Sequence, residues 1–320
     1  MYEKLGARPF AAGVLVLLLG ACGASTSSSS GGAGPMAGMS HGDTTMIGGA
    51  NSPASMTPAS MAPASMPMGG TTADAMAGMD HSGGAMEPMT DAIGDGTSPS
   101  AGGYTLKVVA APTKVGTSSL TFTVAGTDGK AITDAVVEQT KKLHLIVVRR
   151  DLSGYQHLHP TVDASGVWSV QADFPTAGRW HVIADLTPVA GKRIVLGADV
   201  TITGTEVVTP LPAPSATATV DGYTVSLLGK LTTKAANLDI GIDKGGAGAT
   251  DITTYLGAGG HLVALNTSTL AYTHLHPLND PGSMLRFDAA VPTAGRYRLY
   301  LQFASGEVVH TAEFTVDVTG

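Results

Sequence analysis

Of the residue types in this chain, histidine has the spacing that most clearly indicates a chemical role. Six of the 10 His occupy matched positions in two stretches offset by 117 residues: His144, His157, His159, His261, His274 and His276. Because residues i and i+2 of a β-strand project to the same face, each His-Leu-His would present two imidazoles on one side and its Leu on the other. Two imidazoles so placed can share a metal ion, and imidazole suits copper, zinc and nickel.

A predicted hairpin adds the third imidazole of each set. Residues 151–154 read as a four-residue loop, and pairing Arg150 with Tyr155 across it sets His144 diagonal to His159 on one face. This register leaves open whether His144 and His157 are close enough to hold one ion. The alternative is structural: the rings could hydrogen-bond to backbone near a strand end, and the repeat could record shared ancestry alone.

Further blocks recur at the same or nearly the same offset and show that the second half of the chain repeats the first. Pro-Thr-Ala-Gly-Arg recurs at 175–179 and 292–296, and Gly-Tyr-Thr recurs at 103–105 and 222–224 with an offset of 119. Between the copies, residues 209–215 are rich in Pro and predict a semi-rigid linker. We therefore predict module 1 at 103–205, a linker at 206–218 and module 2 at 219–320.

The elements that must position these histidines are β-strands. Beyond Gly103 the chain consists of short runs rich in Val, Ile, Leu and Thr, separated by Gly, Pro, Asp and Asn. Strands are predicted at 104–110, 120–125, 143–149, 167–172, 180–186 and 198–202. This spacing predicts an all-β fold of two tandem immunoglobulin-like β-sandwich modules of roughly 100 residues each.

The N-terminus predicts export. Lys4 and Arg8 precede an apolar run at 10–19 that has the length of a signal-peptide core and is too short to span a bilayer. The run ends in Leu-Gly-Ala-Cys at 19–22, which resembles the lipobox of bacterial lipoproteins, whose Cys is acylated. We predict a lipoprotein signal peptide at 1–21, lipidation at Cys22 and anchoring to the outer face of the cytoplasmic membrane; the alternative is an ordinary signal peptide with an incidental Cys.

Residues 22–102 predict a disordered tether, because a segment dominated by Gly, Ser, Ala, Thr, Pro and Met cannot bury enough apolar surface to fold. Two near-copies, Met-Ala-Gly-Met-Ser-His and Met-Ala-Gly-Met-Asp-His, contain the candidate ligands Met36, Met39, His41, Met76, Met79 and His81. Thioether sulfur selects Cu(I) and imidazole also suits Cu(II), so this tether could bind either copper ion. The alternatives are compositional drift and Met residues that absorb oxidants.

The two modules resemble exported bacterial lipoproteins, common in actinobacteria, that carry paired immunoglobulin-like HxHP modules and are described as heavy-metal-binding or secreted proteins. The resemblance covers about residues 104–320 and rests on the two HxHP motifs at 157–160 and 274–277. It implies the β-sandwich fold more than a chemistry. Better-understood copper-resistance sandwiches carry Met within the folded site, whereas this chain carries it in the tether.

Composition and motifs argue against several functions. The net charge of -7 disfavours nucleic acid as a partner, and the chain contains no HExxH or phosphate-binding loop motif. Its one Gly-x-Ser-x-Gly match, at 38–42, lies in the Gly-rich tether and not in a strand–turn–helix elbow. With its only Cys assigned to lipid, a blue-copper site is excluded. We expect no enzyme and no organic cofactor, but a lipid-anchored protein that binds copper for sequestration or transfer. The alternative is a cell-surface interaction module with an envelope protein partner.

Overall fold

A computed structural model describes residues 92–320 of the chain. The predicted signal peptide, Cys22, and the tether ligands Met36, Met39, His41, Met76, Met79 and His81 lie outside the described residues. Within the described part no α-helix occurs, and none of its segments is a helix long and apolar enough to cross a membrane. The fold is all-β, as predicted.

Strands β1 to β9 form the first module. Their bounds are β1 Ser100–Ala101, β2 Tyr104–Ala110, β3 Gly116–Ala125, β4 His144–Arg149, β5 Gln156–Leu158, β6 Thr161–Val162, β7 Val167–Phe174, β8 Gly178–Leu186 and β9 Ile194–Ile202. They make an antiparallel sheet in the order β1-β2-β3-β7-β6 and a second in the order β5-β4-β8-β9. All six strands predicted from the first half of the sequence are present.

Strands β10 to β19 form the second module. Their bounds are β10 Thr217–Val220, β11 Tyr223–Leu227, β12 Ala236–Lys244, β13 Ala247–Gly248, β14 Ile252–Thr253, β15 His261–Asn266, β16 Tyr272–Leu275, β17 Met284–Ala289, β18 Gly295–Ser305 and β19 Val308–Val318. One sheet has the order β10-β11-β12-β13 with β17 also paired to β12, and the other has β14-β18-β15-β16 with β19 paired to β18. The path β5-β4-β8-β9 of module 1 thus recurs as β16-β15-β18-β19.

Two of the four sheets are buried on both faces, which explains their continuous apolar sequences. Every residue of β4 and of β15 is buried, whereas β17 alternates between buried and more exposed positions. In β4, Leu145 and Val147 pack in the core of module 1, while Ile146 and Val148 belong to a different apolar cluster. A strand with apolar residues on both faces must be covered on both faces.

The second face of each of these sheets is covered by the other module. A third apolar cluster joins residues of both: Ile146, Val148, Leu152, Ile183 and Val195 with Val263, Leu265, Leu270, Tyr272 and Tyr300. Tyr155 stacks on Tyr300 with ring centroids 4.0 Å apart, and the Tyr300 hydroxyl donates to the Leu152 carbonyl over 2.6 Å. The two modules therefore pack sheet against sheet within one compact unit.

The linker is held against module 1 by a buried ion pair. The Arg149 guanidinium lies 3.0 Å from the Asp151 carboxylate, and both side chains are less than a tenth exposed. Arg149 also donates to the Val207 carbonyl, Asp151 accepts from the Thr209 N–H, and Leu211 packs against the apolar cluster between the modules. These contacts tie residues 207, 209 and 211 of the linker to the folded modules.

Residues 92–102, which the sequence analysis assigned to the tether, pack against the edge of module 1. Ile93 bridges Ile194 in parallel, and the Gly197 N–H donates to the Ser98 carbonyl over 2.8 Å. A Cβ at Gly197 would collide with the Gly96 backbone, so the close approach requires glycine there. The described fold thus begins before Gly103.

Candidate metal site at the interface of the two modules

The six repeated histidines meet in one cluster between the modules. His144 and His157 lie on β4 and β5, and His159 follows β5; His261, His274 and His276 have the same places relative to β15 and β16. The ring centroids of His144 and His274 are 5.2 Å apart, and those of His144 and His261 are 6.3 Å apart. The sequence predicted the two trios but not that they adjoin.

Local folding brings the rings of each trio together. In both His-Leu-His segments the Leu turns away from the rings: Leu275 belongs to the core of module 2, and Leu158 packs against that of module 1. The trios therefore form on the face that β4 and β15 turn toward the other module. Within each trio, three ring nitrogens, one per residue, lie within 4.8 Å of one another.

In module 1 the hydrogen bonds leave two ring nitrogens without a proton. His144 Nε2 lies 3.2 Å from the Glu138 carbonyl, and His157 Nδ1 lies 2.9 Å from Gln302 Oε1. These oxygens can only accept, so each neutral ring must donate its single N–H to them. His144 Nδ1 and His157 Nε2 then face each other as lone pairs 2.9 Å apart. Two such lone pairs repel each other unless a cation or a proton lies between them.

Module 2 repeats this pattern in part. His261 Nε2 donates to the Tyr255 carbonyl over 3.1 Å, whereas His274 Nδ1 lies 3.8 Å from Asp185 Oδ2, which is too far for a hydrogen bond. The Asp185 charge favours a proton on His274 Nδ1 without fixing it there. His261 Nδ1 and His274 Nε2 face each other at 3.2 Å.

The last histidine of each trio adds another nitrogen. His159 Nε2 and His276 Nε2 are buried and have no hydrogen-bond partner among the described residues. A buried polar atom without a partner is costly and calls for an explanation such as an unseen ion. A cleft of about 410 Å³, lined in part by Gln139, Gly257, Asn279 and Asp280, opens beside His276.

Burial keeps all six imidazoles neutral near pH 7. Desolvation lowers the pKa of His144 and lowers the pKa values of His157 and His274 well below the usual range. It is also the largest cause that lowers the pKa values of His159, His261 and His276 to about 3. Neutral imidazole is the form that binds a metal ion.

Each module provides one side chain that lies against the histidine site of the other module. Gln302 of β18 accepts from His157, and Asp185 of β8 lies against His274. Asp185 and Gln302 are separated by the same 117 residues as the histidines, so they occupy one position of the repeat. Asp185 and Gln302 were not among the residues predicted from the sequence. Their shared offset in β8 and β18 was a usable signal, but only the packing of the modules shows what they contact.

A tight turn in module 1 supplies the carbonyl that binds His144. Glu138 and Lys141 exchange two backbone hydrogen bonds of 2.8 and 2.9 Å, and the residues between them, Gln139 and Thr140, have φ of 46° and 65°. Positive φ at both central positions is typical of a type I′ turn and is uncommon for residues other than Gly, Asn and Asp.

The same turn recurs in module 2 before His261. Tyr255 and Ala258 exchange the two backbone hydrogen bonds, and Leu256 and Gly257 have φ of 49° and 79°. Three of the four central residues in the two turns are not glycine, so both copies retain strain next to the histidines, where strain commonly accompanies a binding site. The sequence analysis did not find these turns because neither has the Asn-Gly or Asp-Gly signature.

The predicted hairpin register was wrong by two residues. Leu145 pairs with Leu158 and Ile146 with His157, whereas the prediction paired Arg150 with Tyr155. The turn is tighter than expected, because Leu152 adopts φ of 66° and its N–H donates to the Arg149 carbonyl. Since side chains alternate with period two, the shift kept the histidines on one face and brought His144 close to His157.

Other acidic residues and histidines of the modules have structural roles. Asp151 and Asp163 accept backbone N–H groups in their turns. His181 Nδ1 lies 2.6 Å from Asp199, and His310 Nδ1 lies 2.8 Å from Asp221. These two buried histidines have partners outside the cluster.

Comparison with protein families finds one domain twice in the chain. The model of a family described as "Domain of unknown function (DUF8832)" matches residues 99–204 and 218–320. The two matches agree with the duplication read from the sequence. A comparison with curated proteins finds no match.

Several solved structures match about two thirds of the chain at low sequence identity. A tetra-tandem repeat from the extending region of a large adhesion protein is 14% identical with a TM-score of 0.23, and covers 67% of this chain and 49% of its own. Red sea bream transglutaminase is 15% identical with a TM-score of 0.22, covering 69% and 32%. Fibronectin(III)-like modules of Clostridium thermocellum CbhA are 10% identical with a TM-score of 0.19, covering 67% and 92%. The chain thus spans about half or less of the first two.

Proposed function

This chain belongs to the family of DUF8832 domains, and because that description assigns no activity, we propose a function from the site itself: the protein binds metal ions in the two three-histidine sites between its modules. One observation carries the proposal. In each module the facing nitrogens of two imidazoles lie within 2.9 or 3.2 Å of each other, and a third buried ring nitrogen has no partner; in module 1 the surrounding oxygens also fix the ring protons so that the two lone pairs converge.

The outer contacts fit this function. Metal-binding histidines usually donate the other ring N–H to a carbonyl or carboxylate, which fixes the ring orientation and raises its basicity. Glu138, Tyr255 and Gln302 provide such oxygens for three of the six rings, and the Asp185 carboxylate lies 3.8 Å from a fourth. Structural hydrogen bonding alone would account for these contacts but not for the facing lone pairs of His144 and His157.

Copper is the metal we propose. Imidazole binds copper in both oxidation states, and the thioethers Met36, Met39, Met76 and Met79 of the N-terminal segment would favour Cu(I). In this proposal that segment, with His41 and His81, captures ions, and the modules hold them or pass them on. Lipidation at Cys22 would keep the protein at the outer face of the membrane. The reaction proposed is binding or transfer, which requires no catalytic group.

The experiment is a titration of the full chain with Cu(I) under anaerobic conditions and with Cu(II) in air. A variant with all six cluster histidines changed to Ala should lose the tight sites, and a variant with Met36, Met39, Met76 and Met79 changed to Leu should lose further Cu(I). His181→Ala and His310→Ala are matched controls, since both rings are buried and hydrogen-bonded elsewhere. Unchanged stoichiometry in the six-histidine variant would refute the proposal.

A second candidate is a cell-surface interaction module, with the histidines in a structural role. The comparisons come nearer to this function than to metal binding, because the similar folds include an adhesion-protein repeat; a fold, however, does not fix a function. This candidate predicts that an envelope extract yields a specific protein partner with or without metal. A partner retained equally by the six-histidine variant would favour it.

A further inference from the structure

The two three-histidine sites differ in the residue that supports them across the module interface. The site formed by His144, His157 and His159, called site 1, is supported by the neutral amide of Gln302. The site formed by His261, His274 and His276, called site 2, is supported by the carboxylate of Asp185. The two supporting residues occupy the same position of the repeat, so this position distinguishes the contacts that reach the two sites from the opposite module.

Asp185 is held firmly in place. Its carboxylate accepts from Arg193 Nε over 2.8 Å, from Arg193 Nη2 over 2.6 Å and from the Tyr272 hydroxyl over 2.9 Å. The side chain is 4% exposed. Arg193 offsets part of its charge, yet Oδ2 still faces His274 Nδ1 at 3.8 Å. A carboxylate behind a ligating imidazole favours a divalent cation more than a neutral amide does, because it adds negative charge and ligand basicity.

The two sites are also close enough to influence each other. The rings of His157 and His274 have centroids 5.3 Å apart, and those of His157 and His261 are 5.8 Å apart. Two cations bound by adjoining trios in a buried region repel each other, and the repulsion between two divalent ions is fourfold that between two monovalent ions at the same separation. The first ion bound must therefore weaken binding of the second.

From these observations we infer that the six histidines form one coupled two-metal centre, in which site 2 binds a divalent cation first and site 1 binds the second ion more weakly. Asp185 and Gln302 are positioning residues that set this order by acting through His274 and His157. The inference rests on the proposed function, since it assigns an order to the same sites.

The test uses Zn(II), titrated into the full chain against a chromogenic chelator. His41→Ala and His81→Ala form the background, so that binding reports the cluster. We expect two steps of unequal affinity. His276→Ala should remove the tight step and His159→Ala the weak one, which assigns each step to its site.

Exchanging the supporting residues then tests the order. Asp185→Gln gives module 1 the Gln that module 2 has at the matched position, 302. This change should weaken the tight step by roughly 10–100-fold, and Asp185→Glu should recover part of the lost affinity. Gln302→Glu adds a carboxylate behind site 1 and should strengthen the weak step. That gain is independent of whether Asp185→Gln folds, and loss of packing alone would not produce it.

The outcomes separate the inference from the proposed function. No Zn(II) and no copper bound by the cluster would refute both. Two ions bound with affinities that neither Asp185→Gln nor Gln302→Glu changes would refute only the order and the coupling. A tight step that survives His276→Ala but not His159→Ala would reverse the order and overturn the inference.

Discussion

At the scale of single residues, the site depends on which ring nitrogen of each histidine carries the proton. Glu138 and Tyr255 fix this through backbone carbonyls and Gln302 through its side chain, whereas Asp185 only favours one state by its charge at 3.8 Å. His159 and His276 lack such a partner at Nε2. Changing one of these two should therefore affect metal binding more than folding.

The first prediction concerns His159. His159→Ala should weaken metal binding at its own site by more than the roughly 10–100-fold that loss of an outer contact costs. The free energy of unfolding of the metal-free protein should change little, because no hydrogen bond to Nε2 is lost. Isothermal titration and urea unfolding of the same sample measure both quantities. His181→Ala should show the reverse: intact metal binding and lower stability, because it removes bonds to Asp199 and Gly96.

The second prediction concerns backbone strain at Thr140. Thr140 has φ of 65°, and its counterpart in the second module is Gly257. Thr140→Gly should raise the free energy of unfolding by about 0.5–1 kcal/mol, because relief of the left-handed conformation exceeds the added entropy of the unfolded chain. Urea unfolding measures the change.

Thr201→Gly is its control, because Thr201 lies in strand β9 without a positive φ; it should lose about 1 kcal/mol. A lower urea midpoint for Thr140→Gly would show that the turn is not strained.

At the scale of elements, the sequence predicted the strands because their signal is local. The run at 104–110 coincides with β2, and the run at 143–149 differs from β4 by one residue. The register between β4 and β5 was not predictable in the same way, because it depends on Leu152 adopting a positive φ. The turn at 138–141 was not predicted for a similar reason: its central residues lack the Asn-Gly or Asp-Gly signature of such turns.

The third prediction concerns the buried ion pair that holds the linker. Asp151→Ala would leave the Arg149 guanidinium buried without its carboxylate and would remove the acceptor for the Thr209 N–H. Breaking a buried pair in this way costs about 3 kcal/mol or more. Thermal and urea unfolding measure it.

Asp163→Ala is the matched control, since Asp163 caps a turn through backbone N–H groups; it should cost about 1 kcal/mol. Equal losses in the two variants would mean that the linker contacts add nothing to stability.

At the scale of the whole molecule, the decisive feature is the packing of one module on the other. The sequence showed a duplication and six matched histidines, and it indicated a linker between the copies. It did not show that Ile146, Val263 and Tyr300 share one apolar cluster, because apolar residues on both faces of a strand do not identify their partner. The contact between the trios therefore came only from the structure.

The fourth prediction concerns the stability of the metal-free protein as a function of pH. His159, His261 and His276 have pKa values of about 3 when folded, against about 6.5 when unfolded. Between these values the unfolded state binds more protons, so stability is complete above about pH 6.5 and falls as the pH falls toward 3. Urea unfolding at pH 7.5, 5.5 and 4 should show the loss.

The triple variant with these three histidines changed to Gln is the comparison, and its stability should depend less on pH over the same range. An identical pH dependence in the two proteins would contradict the burial of neutral imidazoles.

The central claim is that each trio of imidazoles holds a metal ion, and anomalous X-ray scattering from crystals grown with copper tests it most directly. The account predicts two peaks, one in each trio, about 2.0–2.1 Å from ring nitrogens that include Nδ1 of His144 or His261 and Nε2 of His157 or His274. The claim would be contradicted by copper located elsewhere, with His144 Nδ1 and His157 Nε2 still 2.9 Å apart and no ion between the two rings.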